Sequence, residues 1–186
     1  MEETLRQQPS SCIKICLFGP ESSGKSTLSN KLSEHYSAPS IPEFARDYLQ
    51  KLWDTEKLIC RPKDLLPIAA GQMHLENQAA KSTDKLLICD TDVLTTKVYS
   101  EAYYDGWCPP LLDKYALKNQ YDLYLLTYID TPWHADDLRD RPEHREEMFA
   151  YFRKALEDNN RPFVLLQGSV EERMAQATKA INQLLD

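Results

Sequence analysis

A chain of 186 residues, 42% hydrophobic and 27% charged, can bury a sizeable core as one domain without disulfides or metals to hold it. Its 22 Lys and Arg against 29 Asp and Glu leave a formal charge of −7 with no basic run, so no nucleic-acid partner is expected. Nothing approaches the ~18 apolar residues of a membrane helix, the polar N-terminus lacks the apolar core of a signal peptide, and five cysteines without a CxxC pair fit a reducing cytoplasm.

Residues 1–11 read as a disordered, frayed tail and 12–186 as a single domain. Strand Ile13–Phe18 leads into a helix with Leu28, Leu32 and Tyr36 at i, i+4 and i+8. A brief strand follows at Ser40–Ile41, then helical patterns over Leu65–Ser82, strand Leu86–Cys89 and more helix over Leu94–Leu117, punctuated by Pro67, Pro109 and Pro110. Strand Tyr121–Tyr128 precedes a helix striped by Met148, Phe152 and Ala155. That helix should begin near Arg141, behind a capping box of Asp140 and Glu143. Strand Phe163–Leu166 and a last helix with Val170, Met174, Ala177, Ile181 and Leu184 complete the chain. Alternation of this kind predicts an α/β fold, a parallel sheet with helices on both faces.

The segment Gly19-Pro20-Glu21-Ser22-Ser23-Gly24-Lys25-Ser26 matches the phosphate-loop pattern G-x-x-x-x-G-K-[ST], with an apolar strand before it and an amphipathic helix after it. Its glycines let successive amides turn inward on an anion, and the helix N-terminus adds a positive dipole end. ATP is therefore expected in the cradle from Gly19 to Thr27, with Lys25 on the β- and γ-phosphates and the Ser26 hydroxyl on Mg²⁺.

In an open parallel sheet, ligands lie beyond the carboxyl ends of the strands. Asp90 falls there as a candidate Mg²⁺ partner through water and as an acceptor of the attacking hydroxyl's proton. Asp92 reads either as a substrate contact or as a helix N-cap before Val93. Glu43 and Arg46, three apart on an opening helical turn, read either as an intrahelical ion pair or as acceptor-pocket residues. The choice of general base between Asp90 and Glu43 stays open.

Residues 133–147, rich in charge, read as a lid. Arg139 is placed to close over phosphates, and Arg141 sits where the helix dipole disfavours a cation, while Arg145 reads as a solvated surface group. His35, His74, His134 and His144 form no metal-binding spacing. Trp107, Trp133, Tyr103 and Tyr104 are candidates to stack on a planar ring, without a choice among them.

In order, G-P-E-S-S-G-K-S-T-L, P-E-F-A-R, I-C-D-T-D-V-L-T-T, W-x-x-D-D-L-R and G-S-V-E-E-R resemble the ribosylnicotinamide kinase domain of the NadR family, from about Ile13 to Leu185. Asp137 stands where that family often has glycine. The resemblance implies a P-loop NTPase fold with a five-stranded parallel sheet and a helical lid that includes Arg139. It also implies a loop after Gly168 that borders the adenine, and transfer of the ATP γ-phosphate to the 5′-hydroxyl of nicotinamide riboside. Glu43 would hold the ribose. Larger members carry an adenylyltransferase domain, but no H-x-G-H motif occurs here, so adenylyl transfer is not expected. The rival readings are another nucleoside or nucleoside-monophosphate kinase, or an ATP-binding regulatory module.

Overall fold

A computed structural model describes residues 1–139 and 142–185. Five strands pair in the order β2-β3-β1-β4-β5, all parallel. They are β1 (Ile13–Phe18), β2 (Ser40–Ile41), β3 (Leu86–Asp90), β4 (Leu123–Thr127) and β5 (Phe163–Leu166). Each lies within about two residues of its expected place. The helices are α1 (Lys25–Tyr36), α2 (Phe44–Glu56), α3 (Leu65–Ala79), α4 (Val93–Tyr103), α5 (Pro110–Lys118), α6 (Arg145–Asp158) and α7 (Val170–Leu185).

The strands alternate between two cores because successive side chains leave opposite faces of the pleat. Cys16, Phe18, Leu87, Cys89, Tyr124 and Leu126 pack under α3, α4, α5 and α6 with Met73, Val98, Tyr115 and Phe152. Ile15, Leu17, Ile88 and Leu125 face α1 and α7 through Leu28, Leu32, Ala177 and Ile181. The buried Cys12, Cys16 and Cys89 and the half-buried Cys60 and Cys108 are all free thiols. No helix among the described residues is long and apolar enough to cross a membrane.

One expectation is corrected. Residues 1–11 are not frayed. Leu5 is fully buried behind a 3₁₀ turn at Glu3–Leu5, and the amides of Gln7 and Gln8 donate to the Asn119 and Asn77 side-chain oxygens at 3.3 and 2.8 Å. One apolar residue among polar neighbours gives no periodic signal, so its burial was invisible in the sequence. The start of the helix expected near Arg141 lies at the edge of the described residues: a 3₁₀ turn at Pro142–His144 leads into regular α-helix from Arg145. The expected box residue Asp140, like Arg141, lies outside the described residues.

With β1 central, the chain leaves β3 and β4 on either side of the loop that follows β1. The strand order reverses there, which is where such sheets open a binding crevice.

Candidate active site

A cleft of about 970 Å³ lies over the carboxyl ends of β1, β3 and β4. Its floor is the phosphate loop. Gly19 has φ +143°, and a Cβ there would sit 2.5 Å from Thr127 Oγ1 and 2.9 Å from the Thr127 carbonyl, so only glycine lets the loop pass β4 this closely. Ser23 locks the turn: its hydroxyl lies 2.7 Å from the Pro20 carbonyl and 2.6 Å from Thr127 Oγ1. Gly24, at φ +88°, then starts α1. Glu21, Ser22, Ser23, Gly24, Lys25, Ser26 and Thr27 all line the cleft. The Lys25 ammonium is buried and donates to the Pro20 carbonyl at 2.8 Å, beside the place the loop reserves for phosphate.

Asp90, the last residue of β3, accepts a 2.5 Å hydrogen bond from Ser26 Oγ on Oδ2, while its buried Oδ1 has no protein partner. Burial pushes its carboxyl above the ordinary range, against the pull of Lys25 and the Ser26 bond. An under-satisfied carboxylate oxygen beside a hydroxyl is a donor set for a hard cation, which takes oxygen ligands and fills its shell with water and phosphate. Among the described residues no group of three or more His, Cys, Asp or Glu could hold a metal without such help. Ser26 and Asp90 thus fit Mg²⁺ that arrives with a nucleotide.

Thr91 explains why Asp90 and Asp92 part company. Its φ of +72° is a left-handed angle that costs a β-branched residue about 1–3 kcal/mol, and its amide is tied to the Leu17 carbonyl at 3.1 Å. Asp90 turns into the cleft and Asp92 into the core. Asp92 Oδ1 accepts from the Thr95 amide and hydroxyl at 2.9 and 3.0 Å, and Oδ2 from the Tyr124 hydroxyl at 2.8 Å. Of its two sequence readings the structure realises the N-cap, and the reading of Asp92 as a substrate contact is corrected: both oxygens are spent and the side chain is buried away from the cleft. Burial is also what lifts its pKa to about 6.

Across the cleft, Glu43 sits at the N-cap position of α2 but caps nothing with its side chain. Burial raises its pKa, and the Asp90 charge adds to that, against Lys25, Arg46 and Arg139. Gln72 of α3 holds this corner. Its Oε1 accepts the Phe44 amide at 2.8 Å, and its Nε2 reaches the Pro42 and Thr91 carbonyls at 3.4 Å. Gly71 is needed beside it, because a Cβ would stand 2.1 Å from the Phe44 ring. Arg46 does not pair with Glu43 as the helical spacing allowed; its Nη2 meets Asp136 Oδ2 at 2.5 Å. The same oxygen takes Arg139 Nε at 3.2 Å. Both arginines line the cleft, as does Asp137, which accepts from Gln50 Nε2 at 3.2 Å.

The four aromatic candidates separate. Tyr103 and Tyr104 line the cleft, joined by Tyr99, which the sequence did not single out. Trp107 is exposed and packs edge-on against Tyr104, while Trp133 lies under the Arg145 guanidinium at 5.6 Å.

The roles of two further arginines were not legible in the sequence. Arg145, expected on a solvated face, reaches inward to donate to the Thr131 carbonyl at 2.9 Å and the Ser22 carbonyl at 3.2 Å. Arg173 is 1% exposed and fastens the phosphate loop to the ends of β4 and β5. It donates to the carbonyls of Ser23 at 2.6 Å, Gly168 at 3.0 Å and Tyr128 at 3.0 Å, and pairs with Asp130. Asp130 in turn accepts the Gly168 amide at 2.6 Å, at the cleft's rim. The available signal was Arg173's place on the α7 stripe, three residues from Val170 and four from Ala177.

A family model described as an AAA domain matches residues 14–173. The chain is 29% identical over 174 residues to the trifunctional NAD biosynthesis/regulator protein NadR of Escherichia coli, covering 92% of this chain and 42% of that protein. It thus spans less than half the length of the curated relatives it matches. In fold it is similar to a NadR protein crystallised in complex with NR (TM-score 0.77, 22% identity, 94% of this chain and 52% of that one). It is also similar to deoxyadenosine kinase from M. mycoides (TM-score 0.70, 18% identity, 92% of this chain and all of that one).

Proposed function

This chain belongs to the AAA-domain family, and on that premise we propose that it is an ATP-dependent kinase that phosphorylates the 5′-hydroxyl of nicotinamide riboside to give nicotinamide mononucleotide. The observation that carries the reading is the sharing of one cleft by a phosphate cradle and an acceptor-side wall. Lys25, Ser26 and the half-satisfied Asp90 form the first, and Glu43 with Tyr99, Tyr103 and Tyr104 the second. The likeness to NadR, one structure of which holds NR, supports the identity of the acceptor.

In this reading the amides from Gly19 to Thr27 cradle the ATP phosphates, Lys25 shifts from the Pro20 carbonyl onto the β- and γ-phosphates, and the rim at Gly168 borders the base. Ser26 and Asp90 would hold Mg²⁺, which supplies charge neutralisation on the phosphates when bound. Glu43 accepts hydrogen bonds from the ribose, and the tyrosines flank the planar ring. Asp90 and Glu43, both raised by burial, are the two groups able to take the hydroxyl proton. Arg139 at the rim stabilises the transferring group, and most of the rate comes from positioning and charge. The test is an acceptor panel with γ-labelled ATP: nicotinamide riboside, deoxynucleosides, nucleoside monophosphates and no acceptor. Preferential labelling of nicotinamide riboside is expected; label in a deoxynucleoside or monophosphate, or hydrolysis indifferent to acceptor, overturns the reading.

A further inference from the structure

How strongly an acceptor pocket separates a nucleoside from its phosphorylated form depends on which cations are free to face the acceptor. Among the described residues, the cations lining the cleft are Lys25, Arg46, Arg139 and Arg173, against Glu21, Glu43, Asp47, Asp90, Asp130 and Asp137. Lys25 lies in the phosphate loop, and Arg173 is buried and spent on three backbone carbonyls and Asp130. With Arg139 assigned to the transferring group, that leaves Arg46 to meet an anion on the acceptor side.

Both are held by one carboxylate just behind the lining. Asp136 Oδ2 takes Arg46 Nη2 at 2.5 Å and Arg139 Nε at 3.2 Å. Its Oδ1 accepts the amides of Leu138 and Arg139 at 3.0 and 3.2 Å, so the carboxylate is fixed by its own turn and not merely drawn to the arginines. Burial would raise its pKa, but the Arg46 bond, the Leu138 amide and the Arg139 charge together hold it below the ordinary range, so it is ionised at neutral pH. Arg46 comes from α2 and Asp136 from the loop after β4, 90 residues apart in sequence.

We propose that Asp136 is a specificity-determining residue which, by neutralising Arg46, makes the acceptor pocket discriminate against phosphorylated nucleosides and favour uncharged or cationic ones. A guanidinium pairs with phosphate through the same fork it offers a carboxylate, so a pre-placed Asp136 competes directly with a ligand phosphate for Arg46. The remaining carboxylates repel a second anion and attract a cationic ring. The inference rests on the nucleoside-kinase reading for its biological sense, but its test does not need turnover.

That test is calorimetric binding of nicotinamide mononucleotide and of nicotinamide riboside to the full chain, in the presence of a non-hydrolysable ATP analogue and Mg²⁺. Asp136→Asn keeps an oxygen for the two turn amides and removes the charge. It should tighten mononucleotide binding about tenfold or more, with riboside binding changed less than threefold. Adding Arg46→Gln to Asp136→Asn should abolish that gain, whereas Asp136→Glu, which retains the charge, should bind the mononucleotide as weakly as the parent. Unchanged mononucleotide affinity in Asp136→Asn, equal tightening for both ligands, or a gain that survives the loss of Arg46 overturns the inference. If the parent fails to label riboside in the panel above, the kinase reading falls, while the mononucleotide comparison still decides the role of Asp136.

Discussion

Two clusters of buried charge sit at opposite ends of the sheet, and they are built differently. At the amino end, Lys14 and Glu76 pair at 2.8 Å with 6% and 0% of their side chains exposed. Every Glu76 oxygen is used: Oε1 also accepts from Gln7 at 2.7 Å, and Oε2 from the Tyr121 hydroxyl at 2.5 Å. At the carboxyl end, Asp90 keeps an orphan oxygen, Glu43 caps nothing, and burial lifts both carboxyls. A saturated network holds the fold, here by tying the N-terminal segment and α3 to β1, whereas an unsaturated one retains bonding capacity for a ligand. Satisfaction of the buried polar atoms, not burial or charge, distinguishes the two.

The contrast is broken most forcefully at the saturated end. Glu76→Ala strands a buried ammonium and should cost about 3–5 kcal/mol of unfolding free energy by denaturant titration, while the protein that remains folded binds ATP with unchanged affinity. Coupled losses of stability and ATP affinity would erase the distinction.

Asp92 sits between the two ends and is fully bonded, yet its pKa of about 6 lies above the ordinary 3.8. Folding therefore favours its protonated form: its contribution to stability is complete below about pH 4 and is lost as pH rises through 6. Asp92→Asn retains a good N-cap and should be more stable than the parent at pH 8, by roughly 3 kcal/mol at most, with the advantage gone at pH 4. A difference independent of pH would show that the carboxyl is ionised in its cap.

At the unsaturated end, Asp90→Asn removes a charge that burial already disfavours. Turnover should fall about a hundredfold, with the melting temperature unchanged or raised. Undiminished turnover would remove Asp90 from the chemistry.

The same contrast explains what could be read in the sequence. Strand positions and the two-faced core follow from near-continuous apolar runs between helical patterns, and the phosphate loop from the local string between Gly19 and Ser26, because both depend on neighbours in the chain. The cap role of Asp92 was legible as one of two readings, since a cap is local too; the choice needed Tyr124, 32 residues away. Arg173, Arg145 and the Arg46–Asp136 pair each depend on a partner between 43 and 150 residues distant. Buried Leu5 likewise depends on α3 and α5, which no local pattern at residues 1–11 encodes.

We propose that the incomplete charge cluster at the carboxyl ends of the strands receives the phosphates of ATP. The most direct test is calorimetric titration of Mg·ATP into the parent and Lys25→Ala. The parent should bind saturably at one site and Lys25→Ala should show no measurable binding at the same concentrations, with an intact cooperative melt. Equal affinity in the two proteins would contradict the account.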